Sequence, residues 1–182
     1  MNKILKMIVV LTVIGIISGS VLAIMYQWSL PKIIENQIKS TNEAVFKVVP
    51  GTVKYKENSV DDLVYFDCFD GTGARIGTAI LCSGNGYQGQ IKLMVGVNAD
   101  LTQFTGMAIL EQLETPGLGA KIAEAKFQAQ FKGLASRPPI EYVKGKSPSR
   151  PNEIEAITGA TISSKAVVDI INKTVEQWLR LK

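Results

Sequence analysis

The N-terminal part of the chain contains a long apolar run, and no charged residue occurs between residues 7 and 31. About 20 apolar residues are needed to cross the hydrocarbon core of a bilayer, so residues 7–30 predict one transmembrane helix. Tyr26 and Trp28 lie at its end, where amphipathic rings favour the membrane interface. A cleaved signal peptide is the alternative, but its apolar region is usually only about 7–15 residues long. We therefore expect a retained single-pass anchor.

The lysines that flank this run predict its orientation. Lys3 and Lys6 precede it and favour a cytoplasmic N-terminus, although Lys32 and Lys39 follow on the other side. We expect the protein to lie in the cell membrane, with its soluble domain on the extracytoplasmic side.

The predicted anchor divides the chain into four parts. Residues 1–6 form the cytoplasmic N-terminus and residues 7–30 form the transmembrane helix. Residues 31–50 have apolar positions at helical spacing and predict a helical stalk. Residues 51–182 are enough for one domain with its own hydrophobic core.

Alternating apolar and polar positions predict strands in this domain. Asp70-Gly71-Thr72-Gly73 separates two apolar runs and is a strong hairpin signal. The next run alternates regularly, which predicts a half-buried strand followed by a partner strand. The predicted strands cover residues 51–56, 63–69, 75–81, 91–97 and 104–110.

Two segments of the domain predict helices, and residues 136–150, rich in Pro, Lys and Ser, predict a loop. The first predicted helix covers residues 120–131, and the second contains the amphipathic run of residues 166–179. Hairpins followed by segregated helices indicate an α+β domain with a mainly antiparallel sheet and packed helices, preceded by one transmembrane helix. The residues expected to face the core are Ile122, Ala125 and Ala129 in the first helix, and Val167, Ile171, Val175 and Trp178 in the second.

The composition excludes several classes of chemistry. The 182 residues carry a formal net charge of +4 and include no histidine. Without histidine, neither a Ser-His-Asp nor a Cys-His mechanism can operate within the chain. The positive charge is spread along the sequence without a basic cluster interleaved with aromatic residues, so we expect no nucleic-acid partner. We assign no catalytic residue and no metal ligand.

The chain has two cysteines, Cys68 and Cys82. If Phe69 opposes Ala74 across the hairpin, Cys68 opposes Arg75, and alternation directs Cys82 to the opposite face of the sheet. A register slip or a bulge would undo this assignment. The sequence favours two buried free thiols over a disulfide, and two cysteines cannot hold a four-thiolate iron–sulfur cluster.

A short string of small and hydroxyl-bearing residues precedes the C-terminal helix. Small neighbours leave Thr161 accessible, and Gly159 can adopt a positive φ. Ser163 or Ser164 is the expected N-cap, which puts Thr161 just before a helix N-terminus, where free N–H groups favour a phosphate. Taken alone, the string is also typical of a polar turn before a capped helix. Its residues are Thr158, Gly159, Ala160 and Thr161.

A second string occupies residues 114–119. Pro116 and Gly117 fit the two central positions of a type II turn, although a plain turn before the next helix has the same pattern. The glycine-rich residues 83–89 lack a phosphate-loop lysine and a following helix, so they are not a nucleotide-binding motif. Tyr87 within them either borders a ligand or belongs to a simple hairpin loop. The second string is Glu114, Thr115, Pro116, Gly117, Leu118 and Gly119.

Together the two strings resemble those of the FMN-binding domain family. Within it, the chain is similar to the G subunit of Rnf-type ion-translocating electron-transport complexes and to the related C subunit of the sodium-pumping quinone reductase. The resemblance implies covalent FMN, joined through its phosphate to the hydroxyl of Thr161. It also implies that Thr158, Gly159, Ala160 and Ser164 belong to the attachment site. Glu155 stands where the family usually has an aspartate.

The same resemblance implies that residues 114–119 hold the flavin ring. Pro116, Gly117 and Gly119 would form a tight turn that presents backbone N–H groups. Leu118 would pack on the ring, and Glu114 and Thr115 would bond its polar edge.

The implied partners are the other membrane subunits of an Rnf-type complex, and a flavin transferase that attaches the cofactor. Ferredoxin and NAD would be the end partners, reached through other subunits, with coupling to sodium or proton movement. The chain would then be an electron-relay subunit and not a complete enzyme. Two alternatives are an independent extracytoplasmic FMN carrier, and a non-redox, membrane-anchored binding module in which Thr161 stays unmodified.

Overall fold

The chain divides into two compact units, residues 1–40 and residues 41–182, in a computed structural model that describes residues 2–181. Met1 and Lys182, which the predictions assign to the cytoplasmic N-terminus and to the domain, lie outside the described residues.

One helix, α1, covers Lys3–Val48. It contains an 18-residue window with a mean hydropathy of 2.6, at most two charged residues and no buried residue. Such a surface is stable in hydrocarbon and not in water, so this helix is long and apolar enough to cross a membrane. The predicted anchor and most of the predicted stalk lie within α1, which contains Pro31.

Five antiparallel strands form the main sheet, and each pairs with the next along the chain. The predicted hairpin and the pair of strands after it are confirmed. The first strand begins at Lys54 and not at residue 51. The strands are β1 (Lys54–Val60), β2 (Leu63–Phe69), β3 (Arg75–Asn85), β4 (Gln90–Asn98) and β5 (Phe104–Glu111).

Both faces of this sheet are covered. One face packs against helix α3 (Thr161–Arg180), and the other packs against the last two turns of α1. The prediction that β4 is half-buried is therefore wrong. Met94, on the face that alternation assigned to solvent, is fully buried because Val45 and Val48 of α1 cover it. The core beneath α3 includes Ile80, Leu93, Val95, Val167, Ile171 and Trp178.

The helix predicted over residues 120–131 is broken in two. A 3-10 turn covers Gly119–Ala123, and α2 covers Ala125–Ala129, with Glu124 extended between them. Ile122 is buried as predicted, but Ala125 and Ala129 are exposed, and Phe127 and Phe131 are buried instead. Residues five apart on one α-helix lie roughly 140° apart around it, so a break is needed to bury both Ile122 and Phe127.

The segment predicted to be a loop, residues 136–150, contains the short strand β6 (Glu141–Lys144), which pairs in parallel with β7 (Glu153–Ala156). Asn172 of α3 holds the residue before β6. Its side chain accepts a bond from the Ile140 N–H and donates one to the Ile140 carbonyl, both at 2.8 Å. Apart from this parallel pair, the α+β prediction with a mainly antiparallel sheet is confirmed.

Cys68 and Cys82 are buried free thiols, as predicted. The predicted pairing of Cys68 with Arg75 is wrong, because a bulge pairs Phe69 with Arg75 and Cys68 with Gly77. Residues two apart on a strand point to the same face, so the two sulfurs still lie on opposite faces, in separate cores. Burial raises the pKa of the Cys82 thiol to about 12.

Candidate functional site

Residues 114–119 form the predicted tight turn. The Leu118 N–H donates to the Thr115 carbonyl at 3.2 Å, and Gly117 has a φ of +75°. Glycine adopts this φ without strain, which explains its position after Pro116. The N–H of Ala120 bonds the same carbonyl at 3.1 Å, so the turn leads directly into the 3-10 turn.

The Thr-Gly-Ala-Thr string leads directly into α3. Gly159 has a φ of +83°, Ala160 is buried, and the half-buried Thr161 is the first helical residue. The first N–H bonded within the helix is that of Ser164, to the Ala160 carbonyl at 3.0 Å. In residues 2–181 we find no acceptor for the N–H groups of residues 161–163. Unpaired N–H groups at a helix N-terminus favour a phosphate, as does the helix dipole.

The prediction that Ser163 or Ser164 caps this helix is wrong. The helix starts earlier, and the residue before it is Ala160, which makes no side-chain cap. The Ser164 hydroxyl instead accepts a bond from the Ile157 N–H and donates one to the Ala160 carbonyl, both at 3.0 Å. Ser164 therefore ties the chain before the helix to its first turn.

The two strings lie against each other. A Cβ built on Gly159 would lie 3.2 Å from Cδ2 of Leu118, and one on Gly119 would lie 2.6 Å from Oγ of Ser163. Leu118 is therefore next to Gly159, and Gly119 is next to Ser163 in the first turn of α3. Thr115 instead contacts the glycine-rich segment, because its hydroxyl donates to Oε1 of Gln88 at 3.0 Å.

Glu114 lies where the two strings meet and is 4% exposed. Its Oε1 accepts the N–H groups of Tyr87 at 2.9 Å and Gln88 at 3.1 Å, and its Oε2 accepts the Ser163 hydroxyl at 2.5 Å. Burial by itself raises the pKa of Glu114, but these hydrogen bonds outweigh burial and hold the pKa below its usual value. Glu114 is therefore an ionised carboxylate whose two oxygens both accept bonds from the protein.

The glycine-rich residues 83–89 comprise the end of β3 and a hairpin loop, residues 86–89, that leads into β4. The Gly86 N–H donates to the Gly89 carbonyl at 2.7 Å. A Cβ on Gly86 would overlap Oε1 of Glu114, so the loop and the carboxylate are in close contact. The Tyr87 side chain is exposed beside this contact.

Exposed apolar side chains flank Glu114 and the start of α3. Leu113 packs on Gly89, Leu118 packs beside Gly159, and Ile162 projects from the first turn of the helix. A planar apolar ring would cover such side chains, and the free N–H groups would bind an anionic tail. The residues present therefore fit a flavin mononucleotide. The exposed fractions are 67% for Tyr87, 72% for Leu113, 47% for Leu118 and 59% for Ile162.

A cleft of about 240 Å³ opens beside Thr158. Lys121 and Lys126 line it, together with Glu155. Gln130 holds the backbone of Glu155 on both sides: its Oε1 accepts the Glu155 N–H at 2.7 Å, and its Nε2 donates to the Glu155 carbonyl at 3.2 Å. The exposed Thr158, three residues before Thr161 in the chain, thus lines a charged cleft.

Sequence reasoning did not assign Gln88 or Ile162 to this site, and it assigned Ser163 only as a cap. Gln88 belongs to the site because it forms hydrogen bonds with Glu114 and Thr115, which lie 26 and 27 positions further along the chain. Local sequence pattern does not reveal contacts at that distance. A weak signal existed for Ser163. It lies beside a second serine at the start of a helix that has no acidic residue in its first turn, but its acceptor, Glu114, is 49 residues away and local pattern does not reveal it.

Residues 86–176 match the family model described as FMN-binding domain. The chain is 31% identical to the G subunit of the ion-translocating oxidoreductase complex of Methanosarcina acetivorans, over 96% of this chain and 94% of that protein. It is 32% identical to the G subunit of the proton-translocating ferredoxin:NAD(+) oxidoreductase complex of Clostridium ljungdahlii, over 92% of this chain and 87% of that protein. The crystal structure of Shewanella oneidensis NqrC has the same fold, with a TM-score of 0.58 at 20% identity, over 72% of this chain and 73% of that one.

The matched region runs from the glycine-rich hairpin loop into α3, so it contains both strings. The chain belongs to the FMN-binding domain family. FMN is accordingly the cofactor of this domain, and α1 makes the protein a single-pass membrane protein.

Proposed function

We propose that this chain is the membrane-anchored electron-transfer subunit of an Rnf-type ion-translocating ferredoxin:NAD oxidoreductase complex, with FMN held covalently on Thr161. Two relatives that align over nearly the whole chain support this assignment: one is the G subunit of an ion-translocating oxidoreductase complex, and the other is the G subunit of a proton-translocating ferredoxin:NAD(+) oxidoreductase complex. The observation that carries the attachment is the position of Thr161. It is a half-buried hydroxyl at the first residue of α3, beside N–H groups that have no protein acceptor within residues 2–181.

The residues around Thr161 have distinct tasks in this proposal. Gly159 and Ala160 leave space for the transferase on the N-terminal side of the hydroxyl. The free N–H groups and the helix dipole stabilise the negative charge of the phosphate. Leu118 and Ile162 shield the ring from water. Bound FMN supplies one- and two-electron transfer, and the protein's task is to hold and tune it.

Attachment requires an activated donor. A P–O bond forms between the flavin phosphate and Oγ of Thr161, the hydroxyl loses its proton, and a leaving group departs from phosphorus. A flavin transferase would supply the donor as a phosphoanhydride. Covalent attachment suits an extracytoplasmic relay, because the cofactor cannot be lost by dilution.

Denaturing gel electrophoresis of protein from its native host tests the attachment. The unaltered chain should keep flavin fluorescence after denaturation, and Thr161→Ala should lose it. Thr158→Ala distinguishes the two threonines of the string: its hydroxyl is not the proposed ester position, so covalent fluorescence should remain detectable. Flavin that persists in Thr161→Ala but disappears in Thr158→Ala would move the site to Thr158.

Protease accessibility tests the orientation. Protease added to intact spheroplasts should digest the domain, because Lys3 and Lys6 favour a cytoplasmic N-terminus. Digestion in inverted vesicles alone would contradict an extracytoplasmic domain. Co-purification with other membrane subunits distinguishes a complex subunit from an independent FMN carrier. A colourless protein from the native host would favour a binding module without a redox role.

A further inference from the structure

Helix α3 begins without a local cap. Its N-cap is Ala160, and no acidic residue lies in its first turn. Capping residues normally accept a backbone N–H of the first turn, and this removes one of the donors that could bind an anion. A helix that is to hold a phosphate at its N-terminus needs its start fixed in another way.

Glu114 fixes the start of α3 from another segment. Its Oε2 accepts the hydroxyl of Ser163, which lies 49 residues further along the chain and two residues after Thr161. The bond engages the side chain of Ser163, so the backbone N–H groups of the first turn stay free. The other oxygen, Oε1, accepts the N–H groups of Tyr87 and Gln88, so the same carboxylate joins α3 to the hairpin loop.

The packing around Glu114 leaves no room for larger neighbours. A Cβ on Gly119 would lie 2.6 Å from Oγ of Ser163 and 2.8 Å from Oε2 of Glu114, and a Cβ on Gly86 would overlap Oε1. The position of the Glu114 carboxylate therefore requires glycine at residues 86 and 119, which lie on two different segments. The carboxylate lies at the centre of a contact among the hairpin loop, residues 114–119 and α3.

We propose that Glu114 is a positioning residue for the attachment site, which acts through Ser163 and does not touch the flavin. The proposal rests on the proposed attachment of FMN to Thr161. Glu114 is 4% exposed and both of its oxygens already accept protein donors, so it presents little surface to a ligand. Its task is to hold the first turn of α3 so that Thr161 and the free N–H groups face the phosphate together.

Three variants of the full chain separate hydrogen bonding from charge. Glu114→Ala removes the acceptor for all three donors. Ser163→Ala removes only the bond to α3. Glu114→Gln keeps an oxygen for the two N–H groups, and its amide N–H can donate to the Ser163 hydroxyl, so it removes the charge and keeps the contacts. Glu176→Gln, on the exposed side of α3, is the matched control.

The first measurement is amide hydrogen exchange on full chains that also carry Thr161→Val and thus lack covalent flavin. Glu114→Ala and Ser163→Ala should raise exchange about tenfold at residues 164–167, the first hydrogen-bonded N–H groups of α3, and Glu114→Ala should also raise it at residues 86–89. Glu114→Gln should change it less than about threefold, and Glu176→Gln should leave it unchanged. Unchanged exchange at residues 164–167 in both Ser163→Ala and Glu114→Ala would overturn the proposal. If Glu114→Ala does not fold, the exchange rates of Ser163→Ala and Glu114→Gln still test whether the bond between Glu114 and Ser163 holds the start of α3.

The second measurement uses the same variants with Thr161 intact, expressed in the native host. Bound flavin per protein should fall several-fold in Ser163→Ala and Glu114→Ala, and the flavin absorption spectrum of Glu114→Gln should match that of the unaltered chain. A shifted spectrum in Glu114→Gln with unchanged exchange would show direct contact with the ring and overturn the positioning role. Absence of covalent flavin from the unaltered chain would contradict the proposed function, whereas the exchange data would still decide whether Glu114 holds α3.

Discussion

Two glutamates, Glu114 and Glu153, organise two different regions of the domain in the same way but over different distances in sequence. Both side chains are nearly inaccessible to solvent, and both accept backbone N–H groups. Glu153 takes its donors from residues three and four positions away: the N–H groups of Ser149 at 2.9 Å and Arg150 at 3.0 Å, and Nε of Arg150 at 2.6 Å. Glu114 takes its donors from 26 to 49 positions away.

The difference shows how each region depends on the rest of the fold. The loop around Glu153 is organised within one short segment, and its cation Arg150 is largely exposed. The region around Glu114 exists only when the hairpin loop, the turn and α3 are all in place. The proposed flavin site lies in the second kind of region, so changes there should affect cofactor binding as well as stability.

The largest expected effect comes from filling the space beside Glu114. Gly119→Ala should lower the free energy of unfolding by about 3 kcal/mol, because the new methyl group would overlap both Ser163 and Glu114. Gly145→Ala, in the loop near Glu153, meets no atom within 4 Å and should cost about 1 kcal/mol, from its φ of +66° alone. Urea unfolding of the full chain in detergent, followed by near-UV circular dichroism, measures both. Equal losses would remove the distinction between the two regions.

A smaller effect is expected from pH and salt. Bonds from the backbone N–H groups of Ser149 and Arg150 lower the pKa of Glu153, and the pKa of Glu114 is also below its usual value. A lowered folded pKa means that the stabilisation is present above the ordinary glutamate pKa of about 4.3 and is lost as the pH falls through the folded pKa. Glu114→Gln and Glu153→Gln should therefore each reduce the fall in the free energy of unfolding that occurs as the pH is lowered.

Salt should separate the two carboxylates. The contribution of Glu153 should weaken at high ionic strength, because its partner Arg150 is exposed to solvent. None of the hydrogen-bond partners found for Glu114 within residues 2–181 is charged, so its contribution should change little. Urea unfolding midpoints of Glu114→Gln, Glu153→Gln and the unaltered chain, each at low and high salt, measure these contributions. A strong salt dependence at Glu114 would contradict the comparison.

The smallest effect on the Glu114 contacts is expected from a substitution at the tip of the turn, away from the carboxylate. Gly117→Val strains a residue with a φ of +75° but meets no atom within 4 Å, so the Glu114 contacts should persist. If the turn bonds the flavin ring, covalent flavin should remain while its potential shifts by some tens of millivolts, the equivalent of about 1 kcal/mol. Gly133→Val, also at positive φ and in open space, is the control for a redox titration. An unchanged potential in a folded Gly117→Val chain would make the turn purely structural.

Local pattern in the sequence determined most of the elements. The uncharged apolar run, the Asp-Gly hairpin and the amphipathic C-terminal helix each depend on residues close together in the chain, so periodicity and turn chemistry identify them. Alternation also predicted free thiols at Cys68 and Cys82. This prediction is confirmed although the predicted register was wrong, because the bulge shifted the partner of Cys68 by two residues and kept its face. The resemblance of the two short strings indicated the cofactor.

Tertiary structure alone decided how these elements are completed. The break at Glu124 follows from burying both Ile122 and Phe127, and β6 depends on Asn172, 32 residues away from Ile140. The start of α3 is the clearest case. The sequence around Thr161 offered two serines as caps, but the acceptor that fixes the helix is Glu114, 49 residues away from Ser163. A buried hydroxyl needs an acceptor wherever the fold supplies one, and sequence distance carries no information about which segment that will be.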